Sequence, residues 1–225
     1  EDLYKEIKEA TAALNPSGDI VTADLIYKGN IDKWRKMGNS LLLRLGMRYS
    51  KLNPTKAASI VAEAYNGGVM QTSADDAILF YNTFYTNGML NGISNNNPYY
   101  HHIYEELINH YKTNNDPRSK YVAGLYEHPN YVLTTVPDVT LSKQIGYPLG
   151  YDHNTVLTHP NFPGKNDNIG FKYSQPNYSS VFSVLGPRFF ITASQTKFLL
   201  AEAAYRGWIT GDVETLYNEG IAASM

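Results

Sequence analysis

Apolar residues recur at intervals of three and four through residues 31–50, IDKWRKMGNSLLLRLGMRYS. At that spacing Trp34, Met37, Gly38, Leu41, Leu42, Leu45, Gly46 and Tyr49 fall on one side of an α-helix. Leu43 and Met47 widen the apolar surface past a single stripe, which predicts burial on more than one side. Lys33, Arg35, Lys36, Arg44 and Arg48 occupy what remains. Glycine in a helix interior costs about 1 kcal/mol relative to alanine. Gly38 and Gly46 on the packed side therefore predict close approach by a neighbouring helix.

The same period organises other stretches. Residues 3–14 read as an amphipathic helix, with Leu3, Ile7, Ala10 and Leu14 aligned and the run Asn15, Pro16, Ser17, Gly18 ending it. Residues 23–30, ADLIYKGN, form a connector. Asn53 as cap and Pro54 at the first helical position open a helix that Gly67 and Gly68 stop. With the organising helix it makes an antiparallel hairpin over about 31–67. Around residues 69–82 two readings coexist: Ser73 and Asp76 suit a short helix, and ILFYN suits a strand. Pro98 is expected to open a helix to about Tyr111, ended by NNDPR at residues 114–118. Residues 192–206 return to strong helix, and Asp212 caps a further one running to Met225, a second hairpin over about 192–225.

Between these helices the period disappears. Residues 83–98 and 119–191 are punctuated by Pro, Gly and Asn, with short β-branched or aromatic runs such as YVLTTV. The expected fold class is mainly α: tetratricopeptide-like helical hairpins form a scaffold, and a long irregular, loop-rich insertion contains at most a small β-hairpin. A single domain over 1–225 is expected, and both ends look cut from a longer chain.

Composition narrows the function. The 225 residues carry a formal charge of −2, which gives no reason to expect nucleic acid as partner. There is no cysteine, so this segment holds no disulfide, no thiolate nucleophile and no cysteine-ligated zinc. Tyrosine is the unusual residue: 19, against eight Phe and two Trp. Rings with a polar tip among many asparagines suit sugars and peptides better than a purely apolar ligand.

Three stretches resemble the SusD/RagB family. The first is DLIYKGNIDKWRKMGNSLLLRLGMR at residues 24–48, similar to that family's connector and KW…NSL…LR helix. The second is NNDPR at 114–118, similar to its DPR turn, and the third is ITASQTKFLLAEAAYRGWITGDVETLYNEGIAASM at 191–225, similar to its late hairpin. The resemblance implies a surface-exposed outer-membrane lipoprotein of Bacteroidetes that captures glycans, or in some members peptides. Such a protein hands its ligand to a SusC-like TonB-dependent porin and performs no chemistry on it. It also implies an N-terminal lipid anchor outside this segment.

The expected ligand-binding residues follow from rings and amides in the loops. Asn96, Asn97, Tyr99, Tyr100 and His101 in NNNPYYHH come first, because aromatic faces pack on pyranose C–H groups while amides and imidazoles reach hydroxyls. Tyr85 flanks that loop; Tyr147, Tyr151 and Tyr178 form a second group. Trp34 and Trp208 lie on scaffold and are expected to pack. His102, Glu106 and His110 share a helical spacing but lack HExxH, so a solvated polar face is expected and no metal. Asp152-His153-Asn154 and Asn166-Asp167-Asn168 match no full calcium loop. No G-x-S-x-G and no phosphate loop is present, and no cofactor or catalytic residue is expected. The alternatives are a peptide- or protein-binding member of the same scaffold and, further off, a glycan-processing enzyme.

Overall fold

In the computed structural model, which describes residues 2–18, 21–88, 101–126, 136–166 and 170–225, most of the longer helices begin at residues whose side chains cap them. The helices are α1 (Asp2–Ala13), α2 (Ile31–Arg48), α3 (Pro54–Asn66), α4 (Glu105–Asn114), α5 (Ser119–Val122), α6 (Ala193–Tyr205) and α7 (Val213–Ser224). The strands are short: β1 (Ala77–Leu79), β2 (Ala123–Gly124), β3 (Lys165–Asn166), β4 (Gly170–Phe171), β5 (Gln175–Pro176) and β6 (Arg188–Ile191). The fold is mainly α, as the sequence predicts. Two units separate, residues Glu1–Phe80 with Arg188–Met225, and residues Tyr81–Pro187.

The first unit is the helical scaffold. Four side chains cap its helices by accepting a backbone N–H three residues on: Asn30 from Lys33, Asn53 from Lys56, Thr192 from Gln195 and Asp212 from Thr215. α2 pairs with α3, and α6 with α7. Leu42, Leu43 and Met47 meet Val61, Ala64, Val69, Leu200 and Ala203 in one buried cluster. On another side of α2, Trp34, Met37 and Leu41 pack against Tyr27, Met70, Ala77, Ile191 and Ala193. The helix is thus buried on two sides, the reason its apolar surface outgrows one stripe. Its two glycines face different neighbours. A Cβ on Gly46 would lie 3.0 Å from Ile60 Cγ2 of α3, and one on Gly38 would collide with Thr11 of α1.

Two residues of α2 that the apolar period passes over are buried. Asn39 donates to the carbonyls of Gly67 and Gly68 at 2.6 and 2.9 Å, and Ser40 Oγ accepts the N–H of Met70 at 3.0 Å. They bind the chain where it leaves α3, a stretch whose polar groups have no helical partners.

The connector before α2 is held by one carboxylate. Asp24 accepts the N–H groups of Ile26, Tyr27 and Gly29 and the indole N–H of Trp34, the last at 2.8 Å. Lys28 and Gly29 both take left-handed backbone angles in this tight turn, φ 54° and 80°. The ring of Tyr27 meets Trp34 edge-on at 5.3 Å. Trp34 is therefore a packing residue, as its helix position suggests, and Trp208 packs against the first cluster with Arg206 over its ring.

In residues 69–82 each reading holds in part, and only Ile78 and Leu79 of ILFYN are strand. Residues Ser73–Asp75 form a 3-10 turn, and β1 follows, pairing antiparallel with β6. Asp76 accepts the N–H of Ala193 at 2.6 Å and so joins that turn to the start of α6. Lys197, buried on α6, reaches Gln71 Oε1 at 2.9 Å and Glu219 Oε2 at 2.7 Å.

The second unit has little regular structure and a core built of rings. Tyr126 packs with Tyr178 and Phe182; Phe171 and Tyr173 pack with Val156, Tyr147 and Phe162. β2 pairs with β5, and β3 with β4 in the one local hairpin among the described residues. α4 begins at Glu105, later than the expected start at Pro98, which lies outside the described residues. The backbone of residues 103–105 is taken up by a ladder to Tyr147 and Ser174, so Tyr104 is extended. At the other end Asn115 is left-handed, and the Asp116 carboxylate accepts the backbone N–H and guanidinium of Arg118. That guanidinium holds Asp116 down to about 2. YVLTTV lies almost wholly outside the described residues.

Candidate functional site

Three segments distant in sequence meet in the second unit through single hydrogen bonds. Ile103 N–H donates to Ser174 O at 2.9 Å, Tyr147 N–H to Ile103 O at 2.8 Å, and Glu105 N–H to Tyr147 O at 2.9 Å. Ser174 N–H donates to Ile145 O at 2.7 Å, and the Ser174 hydroxyl donates to Gln144 Oε1 at 2.8 Å. Gln144, fully buried, donates in turn to the carbonyls of Asp138 and Thr140. Gly146 makes the junction possible, since a Cβ there would run into the backbone of Tyr104 and Glu105.

This junction gathers rings. His102 stacks on Tyr147, with centroids 5.1 Å apart and planes 3° from parallel. Tyr173 meets Tyr147 edge-on at 5.0 Å, and His153 lies against Phe171 at 4.6 Å. Beside them opens a cavity of about 610 Å³ lined by His101, His102, Ile103, Tyr104, Tyr147, Tyr151, His153, Phe171, Pro176, Tyr178 and Phe182. That volume suits a small ligand or a short stretch of a polymer.

The hydroxyls of Tyr147, Tyr173 and Tyr178 stay protonated. Burial raises Tyr147, with Asp152 adding to the effect. Burial, then Tyr147 and Glu105, push Tyr173 up to about 12, and burial with Tyr126 raises Tyr178. Each such hydroxyl is an uncharged donor and acceptor at neutral pH. Among the described residues, the buried hydroxyl oxygens of Tyr173 and Tyr178 have no hydrogen-bond partner.

The described lining side chains include no carboxylate, no ammonium and no guanidinium. Among the described residues no group of three or more His, Asp or Glu is placed to hold a metal ion. The arrangement offers ring faces and neutral hydrogen-bonding groups, the means of a binding site.

Of the residues singled out from sequence, His101, Tyr147, Tyr151 and Tyr178 line this one cavity. Tyr178 is also core, 6% exposed, and its backbone N–H donates to Tyr126 Oη. Tyr85 does not line it; Tyr85 is exposed at a turn in which Asn82 Oδ1 accepts the N–H groups of Phe84 and Tyr85. Asn96, Asn97, Tyr99 and Tyr100 lie outside the described residues. Sequence reasoning passed over Tyr104, Phe171 and Phe182. His102 ends the candidate stretch NNNPYYHH without being singled out for ligand contact, and His153 stood only in a weak calcium pattern. The continuation of NNNPYYHH through His102 was the local signal available.

The chain thus combines a unit of helical hairpins with a unit whose cavity is lined, among the described residues, by rings and neutral polar groups. A family model described as SusD-like, starch-binding and associating with the outer membrane matches residues 1–225. The chain belongs to this SusD-like family. A solved structure of a chitin-binding protein is 29% identical, with a TM-score of 0.76, the match covering 99% of this chain and 46% of the other. A SusD-like protein from Bacteroides thetaiotaomicron is 25% identical, with a TM-score of 0.66 and coverage of 99% and 42%. A chitin-binding SusD homologue from Flavobacterium johnsoniae, 24% identical with a TM-score of 0.72 and coverage of 98% and 42%, shares the fold. The chain spans about half the length of these solved relatives. No curated protein matches it by sequence.

Proposed function

We propose that this protein binds glycan at the cell surface through the ring-lined cavity, as a non-enzymatic member of its family. It captures an oligosaccharide or a stretch of polysaccharide and delivers it to a SusC-like TonB-dependent porin. A lipid anchor outside this segment holds it at the outer membrane, and residues 1–225 form part of one SusD-like domain. The observation that carries the reading is the cavity itself: rings from three separate stretches converge with phenol hydroxyls and imidazoles and with no Asp, Glu, Lys or Arg among the described lining. Pyranose C–H faces pack on rings, and sugar hydroxyls replace water on the polar tips. The chitin-binding name of the 29%-identical relative supports a carbohydrate ligand.

Titration calorimetry against starch, chitin, cellulose, mannan and pectin oligosaccharides, with a random peptide pool as comparison, tests this. At least one glycan class is expected to bind with a dissociation constant of about 1 mM or tighter, equivalent to about −4 kcal/mol or better. Binding of peptides and of no glycan would establish the peptide-binding alternative instead.

A further inference from the structure

We infer that the cavity selects by charge: it takes uncharged sugar residues and excludes those carrying a carboxylate or sulfate. This deepens the glycan-binding reading and rests on it. The described lining consists of phenyl, phenol, imidazole, aliphatic and proline groups, with no Lys or Arg to meet an anion. An anionic group entering such a cavity gives up its hydration and finds no cation in return. That loss persists even after the surroundings relax.

Two carboxylates of the same unit have fields that reach the ring cluster. Asp152 lies next to the rim residue Tyr151, and its field reaches Tyr147; the field of Glu105 reaches Tyr173. The Asp152 carboxylate is held below the usual carboxylate range by Thr155, through its backbone N–H and hydroxyl, and by the N–H of Asn154, so it stays ionised at neutral pH. Of the basic groups of the same unit, Arg118 pairs with Asp116 at 2.6 Å and Lys143 with Asp138 at 2.7 Å, and no Lys or Arg is among the described lining residues. Three histidines are among the lining residues, and the test is set at pH 8, above the ordinary imidazole range.

The probes are hexasaccharides of α1,4-glucose, β1,4-glucose and β1,4-N-acetylglucosamine, each beside its twin oxidised at C6 to the uronate. Each pair shares ring and linkage, and a carboxylate replaces a hydroxymethyl group. By calorimetry on the intact protein, a neutral hexasaccharide is expected to bind about tenfold or more tighter than its oxidised twin, and Tyr151→Lys, which adds an ammonium at the rim, is expected to narrow that gap. An oxidised twin that binds as well as or better than the neutral one overturns the inference and leaves glycan binding intact. A gap that Tyr151→Lys leaves unchanged also overturns it, because the discrimination would then not be one of charge. Failure of all six to bind overturns the inference, and glycan binding falls with it only if the wider glycan panel is silent too.

Discussion

Tyr147→Ala is expected to weaken glycan binding by about 30- to 1,000-fold, the loss of roughly 2–4 kcal/mol that follows removal of a central aromatic anchor. Tyr147 is the ring on which the cavity wall is assembled. It stacks on His102, meets Tyr173 edge-on, and contributes its own face to the lining. Its backbone ladder to Ile103 and Glu105 does not depend on the side chain, so the chain path survives the substitution. Tyr147→Phe separates ring from hydroxyl: it keeps the stacking surface and should remain within about tenfold of the parent, the scale of one neutral hydrogen bond. Calorimetry with the tightest-binding glycan, with circular dichroism to confirm folding, reads both. Affinity of Tyr147→Ala within threefold of the parent would remove this ring from the ligand contact.

Asp24→Ala is expected to destabilise the scaffold unit by about 2–4 kcal/mol, since four N–H donors lose a charged acceptor together. Those donors belong to Ile26, Tyr27, Gly29 and the Trp34 indole, and the turn they fix carries two left-handed residues. Burial on its own would raise the carboxyl's pKa; the N–H groups of Gly29, Ile26 and Tyr27 and the Trp34 indole outweigh it and set it below its ordinary value. A lowered folded-state pKa stabilises the fold above the unfolded carboxyl value of about 3.9, and that contribution fades as the pH falls through the lowered value. The difference between parent and Asp24→Ala should therefore be full at pH 7 and shrink below about pH 4. Urea unfolding at pH 7 and pH 3 measures both quantities. Equal stability at pH 7 would contradict the role assigned to Asp24.

The sequence made the scaffold legible because its determinants are local. Asn30, Asn53 and Asp212 cap the helices they precede, and the wide apolar surface of α2 anticipates burial on two sides. The buried Asn39 and Ser40 were illegible, because their partners are carbonyls and an N–H near residues 67–70 that no period reveals. The connector motif was recognisable by resemblance alone. The donors on Asp24 give the physical reason for the aspartate and for the Trp34 indole, the left-handed φ for Gly29, and the contact with Trp34 and the hydroxyl bond to Asp75 O for Tyr27.

The cavity was legible only in its ingredients. An excess of tyrosine in punctuated, non-helical stretches marks rings free to leave a helical core, and Tyr147, Tyr151 and Tyr178 are such rings. Their meeting depends on bonds between residues about 30 to 70 positions apart, from Ile103 to Ser174 and from Tyr147 to Ile103. No local pattern encodes such pairings. The same ladder moved the start of α4 to Glu105, where a proline-opened helix had been the local expectation.

The most direct measurement is a crystal structure of the intact protein with its tightest-binding oligosaccharide. A sugar ring is expected in the cavity of the second unit, in van der Waals contact with Tyr147 and Tyr151 and hydrogen-bonded to at least one lining imidazole or tyrosine hydroxyl. A ligand bound on the helical unit, with this cavity empty, would contradict it.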